Sequence, residues 1–485
     1  MQSEEFVRTG DPWIDSGILS LWEALTARHG DRLRVVEEDL EEIRLRKVTA
    51  TLSSDSLIVK GSVEGIQRLV KEALEGLEDK VWQKTKSGRM WWSGIARFFF
   101  KQYGDKPRRL LMPLDRLKRK GRKGACDFCG RQDQKVTDAR ASEYPFLVAS
   151  ERMSSFYSQL KGTFKVCSSC AFASWFAVRR VLFNVSEGTL NGFFFDAPDL
   201  LHLYGIHKAF GQQWVVEEPY RNFKGTLSYA AHPLENFLGF LLAVHEQTDI
   251  RSRFFQGVTA HIFSAKLDGR TVTFGRYYTV PDLPKILDII DIMKWKSKTK
   301  QHNALQDVTR ELYLIKGGNR DTLIREEFAR RLLSLSELAD VAEDFLFDRG
   351  LSKEGLSGFE VVSFYQLITK YYGEVLRLEP RILEASRSLG GILGTAAAKT
   401  DEKSLLYSLR GLRSLEDYHA YLHQFMVRHE DFVRAGGNIR STIDAVTSEI
   451  DERNWRSHRS IVGIYAVLKY TEIMRQSAKE TTEVT

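Results

Sequence analysis

The sequence predicts an α+β protein with a mixed α/β N-terminal region, an inserted subdomain built on cysteine pairs, and an all-α C-terminal helical bundle. Alternating strand-like runs occupy the N-terminal part, two C-x2-C pairs follow, and amphipathic helical periodicity dominates from about residue 360 to 478. A chain of 485 residues with a mean hydropathy of -0.30 is long and apolar enough to form several buried cores.

The N-terminal segment begins with a well-signalled helix. Asp11 has a side chain suited to an N-cap, Pro12 suits the first helical position, and apolar residues follow at helical spacing until Gly30. The runs "RKVTATL" and "SLIVKG", joined by "SSD", predict a β-hairpin. A second amphipathic helix is predicted over 66–77. Together these elements predict a small α/β unit at residues 1–80.

Three further segments are predicted beyond this unit. Residues 81–185 contain a basic segment and the cysteine pairs, and residues 186–300 have a mixed α/β texture. Within the latter, Asp268-Gly269 lies between two alternating runs and predicts a tight hairpin. Residues 301–485 are helical in pattern and end in the C-terminal bundle.

Apolar and glycine patterns also predict individual element boundaries. The run "AFASWFAVRRVLFNV" at 171–185 is typical of one continuous helix. Inside the bundle, the glycine-rich stretches "GGILG" near residue 390 and "AGGNIR" near residue 435 predict breaks between successive helices.

Positive charge is concentrated in one stretch of the chain. Residues 80–123 contain 15 lysines and arginines against two aspartates, a local net charge of +13. Because the whole chain has a net charge of +7, the remainder has a net charge of −6. A concentrated basic patch attracts phosphate backbones, since each neutralised phosphate releases condensed counterions.

All four cysteines belong to two C-x2-C pairs, Cys126 with Cys129 and Cys167 with Cys170, separated by 37 residues. Four thiolates complete the tetrahedral coordination of zinc and leave no position for a catalytic water, so the pattern predicts an inserted zinc subdomain with a structural ion. Disulfides are disfavoured by the expected reducing compartment. A redox role is disfavoured because neither pair is predicted to follow a strand and open a helix in a βαβ context.

The basic segment interleaves cations with aromatic residues, a composition typical of surfaces that bind single-stranded or unwound nucleic acid. Aromatic faces stack on bases while lysine and arginine contact the backbone; the alternative is a solvated charged face around buried aromatics. The candidate nucleic-acid-binding residues are Lys86, Arg89, Trp91, Trp92, Lys118, Arg119, Lys120, Arg122 and Lys123.

No catalytic signature is complete, and the sequence therefore predicts a protein that is not an enzyme. In "HEQTD" at 245–249, Asp249 replaces the second histidine of a zincin, and in "GSVEG" at 61–65, Val63 replaces the nucleophilic serine. The chain has no P-loop, no adjacent His-Asp pair and no His-x-Glu ahead of Cys126.

The sequence also predicts where the protein is found. No apolar run approaches the ~18 residues that a membrane span requires. The N-terminal residues "MQSEEFVRTGDPW" lack the basic and apolar regions of a signal peptide. We therefore expect a cytoplasmic protein without a membrane partner.

The opening "TGDPWIDSGI", the two C-x2-C pairs in the first half and the helical C-terminal region resemble the CXXC–CXXC large subunits of type I CRISPR surveillance (Cascade) complexes. This resemblance implies a non-catalytic subunit that binds at the 5′ end of the CRISPR RNA. Such a subunit reads the protospacer-adjacent motif in target double-stranded DNA, helps to unwind it, guides the displaced strand, and helps to recruit the helicase-nuclease. The implied partners therefore include CRISPR RNA, target DNA, the backbone subunits of the complex and the helicase-nuclease.

Two other functions remain open on the sequence. A stand-alone nucleic-acid enzyme, such as a divergent nuclease with a zinc subdomain, would cleave its substrate without partners. A zinc-ribbon transcription or RNA-processing factor would bind a specific sequence without a guide RNA. The missing catalytic signatures disfavour the first of these, and the large helical C-terminal half disfavours the second.

Overall fold

The structure is a computed structural model. Apart from the continuous ranges given next, it describes two single residues, 68 and 227. The continuous ranges that it describes are 2–27, 33–37, 40–45, 48–61, 82–84, 90–92, 121–139, 164–186, 188–213, 230–247, 255–268, 271–297, 300–316, 319–352, 355–429 and 439–484. The predicted helix at 66–77 and the predicted break near residue 435 lie outside these ranges.

The described strands pair in short antiparallel sheets. They are β1 (Gln2–Val7), β2 (Leu33–Glu37), β3 (Leu40–Leu45), β4 (Val48–Ser53), β5 (Ser56–Gly61), β6 (Trp82–Lys84), β7 (Met90–Trp92), β8 (Arg122–Gly124), β9 (Gln134–Asp138), β10 (Lys165–Cys167), β11 (Leu182–Ser186), β12 (Thr189–Asp196), β13 (Thr259–Asp268), β14 (Thr271–Val280), β15 (Lys294–Lys296), β16 (Gln301–Asn303), β17 (Leu314–Lys316) and β18 (Asn319–Asp321).

Most of the described helices lie in the second half of the chain. They are α1 (Pro12–Ala27), α2 (Ser168–Phe176), α3 (Leu200–Gln213), α4 (Pro233–Gln247), α5 (Leu283–Ile292), α6 (Ala304–Glu311), α7 (Leu323–Leu333), α8 (Ala339–Gly350), α9 (Gly358–Lys370), α10 (Pro380–Thr400), α11 (Lys403–Arg410), α12 (Leu415–Arg428), α13 (Ile439–Glu449) and α14 (Trp455–Val484).

The chain divides into two compact units. The first contains Met1–Gly225 and Gln247–Pro284, and the second contains Thr226–Glu246 and Lys285–Thr485. The first unit contains the larger sheets and the cysteines, and the second is mainly helical, so the predicted α+β class with a helical C-terminal region is confirmed. The finer division into four sequence segments stays a prediction.

A five-stranded antiparallel sheet in the order β1-β5-β4-β3-β2 opens the first unit. The predicted hairpin is confirmed as the β4–β5 pair, which pairs Val48 with Gly61 and Leu52 with Leu57. Val48, Ala50 and Leu52 are buried while the residues between them are half-buried, because successive side chains of a strand point to opposite faces.

Helix α1 begins where the sequence predicts. Asp11 Oδ1 accepts hydrogen bonds from the backbone N–H groups of Trp13 at 3.1 Å and Ile14 at 3.0 Å, which satisfies donors that the first helical turn leaves unpaired. Pro12 is the first helical residue and needs no donor there. The apolar face is fully buried, and Trp13 meets Phe194 edge to face at 5.7 Å between ring centroids.

A second sheet in the order β11-β12-β13-β14 follows the cysteine region. The hairpin predicted at Asp268-Gly269 is confirmed, because Asp268 at the end of β13 pairs with Thr271 at the start of β14. The continuous helix predicted at 171–185 is wrong. Helix α2 ends at Phe176, a 3-10 turn follows, and Leu182–Ser186 form β11, whose backbone pairs antiparallel with β12.

In the second unit, helices α10 and α14 pack closely along much of their length. The break predicted at "GGILG" is wrong, since this stretch lies inside α10. A side chain at Gly394 would place its Cβ 2.3 Å from the carbonyl oxygen of Ala466, and one at Gly390 would lie 2.7 Å from that of Val462. These glycines therefore permit close backbone approach between helices and do not end one.

Two small hairpins interrupt the helices of the second unit, β15–β16 and β17–β18. The sequence pattern did not predict either of them, because each strand has only three residues. Among the described helices, none combines the length and the apolar character needed to cross a membrane.

Candidate metal centre and basic surface

A three-stranded sheet in the order β10-β9-β8 positions all four cysteines. The first pair lies in the turn after β8, where the Cys126 N–H donates to the Arg131 carbonyl at 3.0 Å and the Gly130 N–H donates to the Cys126 carbonyl at 2.9 Å. Gly130 adopts φ +71°, a conformation that residues with a Cβ rarely adopt. The glycine directly after Cys129 therefore lets the turn close around the two sulfurs.

The second pair lies at a strand-to-helix junction. Cys167 ends β10 and is the N-cap of α2, where its sulfur accepts from the Cys170 N–H at 3.5 Å. The Cys167 N–H donates to the Cys126 sulfur at 3.3 Å. This pair therefore follows a strand and opens a helix, which is one part of the arrangement of a redox motif. However, the sheet is antiparallel and brings all four thiols together, which a two-cysteine redox motif does not require.

The four Sγ atoms converge on one point. All of them lie within 4.8 Å of one another, and those of Cys129 and Cys167 are 3.9 Å apart. Two thiolates bound to one tetrahedral ion at the usual ~2.3 Å bond length would be about 3.8 Å apart, which the Cys129–Cys167 distance matches. Cys126, Cys167 and Cys170 are buried and Cys129 is half-buried, and none of the four forms a disulfide. The cluster can hold a metal ion.

The neighbouring thiols shift one another's pKa values in opposite directions. Hydrogen bonds from Cys129, Cys167 and Cys170 lower the pKa of the Cys126 thiol below its ordinary value. The hydrogen bond to Cys126 raises the pKa of Cys167 and of Cys170. One thiolate can thus be stabilised by its neighbours, whereas four adjacent thiolates repel each other unless a cation lies between them.

Side chains around the cysteines fix the sheet, although no sequence motif identifies them. Asp127 Oδ2 accepts from the Lys165 N–H at 2.6 Å, and the Lys165 ammonium pairs with Asp138. Arg131 donates to the Glu5 carbonyl at 3.3 Å and pairs with its carboxylate at 2.9 Å, which joins the cysteine turn to β1. For Asp127, Arg131 and Lys165, the sequence signal was their position beside the C-x2-C pairs.

Helix α1 anchors α2, the helix that contains Cys170. A Cβ at Gly17 would lie 1.9 Å from the Ala173 carbonyl oxygen. Any residue other than glycine at position 17 would therefore prevent the close approach of α1 and α2. Phe6 packs on Phe172 with ring centroids 5.9 Å apart. The stretch "TGDPWIDSGI" therefore supports the cysteine centre through packing, and Gly17 is its contact residue.

The same stretch contains a buried carboxylate. Asp15 Oδ1 accepts from the Thr9 N–H at 2.7 Å and from its hydroxyl at 2.8 Å, and Oδ2 accepts from the Gly10 N–H at 3.0 Å. Burial raises the pKa of Asp15 to about 6, although these hydrogen bonds and Arg8 oppose the shift. This network orients the loop ahead of α1.

The structure describes four of the nine candidate nucleic-acid-binding residues. Arg122 and Lys123 lie in β8 and are exposed, directly ahead of Cys126. Trp91 and Trp92 lie in β7, where Trp92 pairs with Trp82 of β6. The remaining candidates lie outside the described residues: Lys86, Arg89, Lys118, Arg119 and Lys120.

We compared the chain with protein families and with curated proteins. No family model matches the chain, and no curated protein matches it significantly.

Proposed function

We propose that the four-cysteine centre holds zinc as a structural ion. Four sulfur ligands favour zinc or an iron–sulfur centre over harder cations, and a single compact tetrahedral cluster suits one zinc ion. With all four positions taken by thiolates, the ion has no site for an activated water. Its contribution is then to fold the three-stranded sheet and to fix β8 and the chain that precedes it.

The proposed function of the protein is DNA recognition as the large subunit of a type I CRISPR surveillance complex, without catalysis of its own. One observation carries this proposal: exposed Arg122 and Lys123 lie on the sheet that contains the cysteine centre, at the end of the basic segment. A metal-fixed sheet would hold these cations in place against a phosphate backbone. We name this particular complex because of the resemblance in the opening stretch and in the cysteine pairs.

In this role the subunit would sit at the 5′ end of CRISPR RNA beside the backbone subunits. It would read the protospacer-adjacent motif in target double-stranded DNA, help to unwind the duplex, guide the displaced strand and help to recruit the helicase-nuclease. Guide pairing then supplies sequence specificity, while the protein contacts the motif and the backbone, as in other RNA-guided effectors.

The first test is to isolate the tagged chain gently from its native host and to sequence the RNA that accompanies it. The proposal predicts short, repeat-derived RNAs together with several copies of partner subunits. An untagged strain treated identically is the control. Recovery of the chain free of RNA and of partners would contradict the surveillance role.

A second test removes the basic cluster. Lys118, Arg119, Lys120, Arg122 and Lys123 are replaced together by glutamine, and DNA binding is measured across a range of salt concentrations. The proposal predicts weaker binding, and the log–log salt slope should fall by about 0.7–0.9 for each phosphate that the variant no longer neutralises. An unchanged slope would assign these residues to a solvated face.

A zinc-ribbon transcription or RNA-processing factor is the second candidate, and one observation favours it. The three-stranded antiparallel sheet has a cysteine pair in the turn after β8 and another at the end of β10, an arrangement suited to small zinc modules that bind nucleic acid or protein. This candidate predicts sequence-specific binding by the isolated chain. The surveillance role instead predicts motif-dependent binding only in the RNA-containing complex.

A further inference from the structure

The β15–β16 hairpin of the second unit is strongly basic. Its ten residues, "KWKSKTKQHN" at 294–303, contain four lysines and no acidic residue. The strands pair Lys294 with Asn303, Trp295 with His302, and Lys296 with Gln301. In a hairpin, paired residues share a face and neighbouring residues alternate, so the two faces of this hairpin have different chemistry.

One face is fixed to the protein by aromatic packing. The Trp295 and His302 rings stack with centroids 4.7 Å apart, and Phe359 at the start of α9 lies 5.1 Å from His302. His302 Nδ1 also lies 3.9 Å from a carboxylate oxygen of Asp307. Both rings are half-buried, and the faces that Trp295 and His302 turn toward each other are covered by their mutual stacking.

The hairpin backbone is fixed at its base as well. The Lys370 ammonium donates to the Lys294 carbonyl at 2.7 Å and to the Ile292 carbonyl at 2.9 Å. Asn303 Nδ2 donates to the Ile290 carbonyl at 2.6 Å, and its Oδ1 accepts from the Gln306 N–H at 3.2 Å as the cap of α6. These hydrogen bonds therefore fix the position of the hairpin backbone that carries the lysines.

The lysines of the hairpin differ in whether they form ion pairs within the protein. Lys294 pairs with Asp291 at 2.5 Å, which uses its charge within the protein. Lys296 lies on the face opposite Trp295, and Lys300 follows in the turn that Ser297 closes through its N–H to the Lys300 carbonyl at 2.9 Å. Both are exposed, and within the part of the chain that the structure describes no carboxylate forms an ion pair with either.

We infer that Lys296 and Lys300 bind the phosphate backbone of nucleic acid. Lysine ammonium groups contact phosphate as point charges, and cations without internal partners need not break an ion pair to do so. Because Trp295 and His302 stack on each other, we take the contact to be with phosphate alone, and it is then independent of sequence. This second contact deepens the proposed nucleic-acid function and rests on that function.

The test is the double substitution Lys296→Gln/Lys300→Gln in the full chain, with labelled random-sequence single-stranded and duplex DNA as probes. Two fewer neutralised phosphates should lower the log–log salt slope by about 1.4–1.8 and weaken binding roughly tenfold at moderate salt. The matched control is Arg413→Ala/Arg453→Ala, which removes two other exposed cations of the second unit. Far-UV circular dichroism checks that both variants keep their helices.

A lower slope in the hairpin variant with an unchanged slope in the control supports the inference. An unchanged slope in the hairpin variant, or an equal fall in the control, overturns it. If the hairpin variant binds normally while the basic-cluster variant of residues 118–123 binds weakly, this inference fails and the proposed function stands. If the unmodified chain, alone and with its partners, binds neither probe, both fail.

Discussion

The cysteine sheet and the α10–α14 pair are held together by different forces. In the sheet, Val136 and Val166 are the only buried side chains of β8, β9 and β10 besides Cys167, and the strands have only three to five residues. In the helix pair, whole apolar faces are buried and glycines allow the backbones to meet. A small sheet with so few buried side chains depends on a cross-link, whereas the long helices are stabilised mainly by burial.

The largest expected effect follows from removing a sulfur ligand. Cys126→Ser or Cys167→Ser should abolish metal binding and unfold the cysteine sheet, since structural zinc sites contribute up to about 10–16 kcal/mol in small peptides. Hydrogen exchange should show reduced protection at 121–139 and 164–176, with α10 and α14 unchanged. Ser169→Ala in the same junction is the control. Full protection and full metal content in either cysteine variant would contradict the four-sulfur site.

The stability of the α10–α14 pair should depend on side-chain volume at its glycines and not on the metal. Gly394→Ala places a methyl group against the Ala466 carbonyl and should lower the free energy of unfolding of the helical unit by about 3 kcal/mol. Gly391→Ala is the control in the same helix, because nothing lies within 4 Å of its Cβ position. That variant should be stabilised by about 0.5–1 kcal/mol. Urea unfolding measures both, and metal content should stay constant.

The smallest effect is the pH dependence that Asp15 gives the first unit. Its carboxyl has a pKa of about 6 when folded, against an ordinary value of 3.8. Below about pH 4 it is protonated in both states and costs nothing. As the pH rises from 4 to 6 only the unfolded state ionises, so stability falls, by up to about 2 kcal/mol.

Unfolding of the native chain and of Asp15→Asn across this pH range isolates the effect. The difference in unfolding free energy, native minus variant, should decrease as the pH rises and then level off above pH 6. A difference that increases with pH would mean that the hydrogen bonds from Thr9 and Gly10 outweigh burial.

Local chemistry made several of these features predictable from the sequence. The spacing of the four cysteines predicted their convergence, Asp11-Pro12 predicted the start of α1, and Asp268-Gly269 predicted the β13–β14 hairpin. Each signal depends on a few adjacent residues whose chemistry permits one arrangement. The basic character of Arg122 and Lys123 was equally visible, although their place beside the cysteine turn was not.

Features that depend on tertiary context were not predictable. Leu182–Ser186 has a helical pattern, and hairpin pairing with β12, which begins at Thr189, makes it a strand. Gly390 and Gly394 have the composition of a break, and only the approach of α14 explains their presence inside a helix. The hairpin at Trp295 and His302 was missed for the same reason, since its stack on Phe359 joins residues far apart in sequence.

The most direct test of the central claim is the metal content and coordination of the purified chain. Elemental analysis should give one zinc per chain, and X-ray absorption should show four sulfur ligands at about 2.3 Å. Removing the zinc with a chelator should expose four reactive thiols and leave the helical unit folded. A chain that contains no zinc, or zinc bound by nitrogen and oxygen, would contradict the claim that Cys126, Cys129, Cys167 and Cys170 form the site.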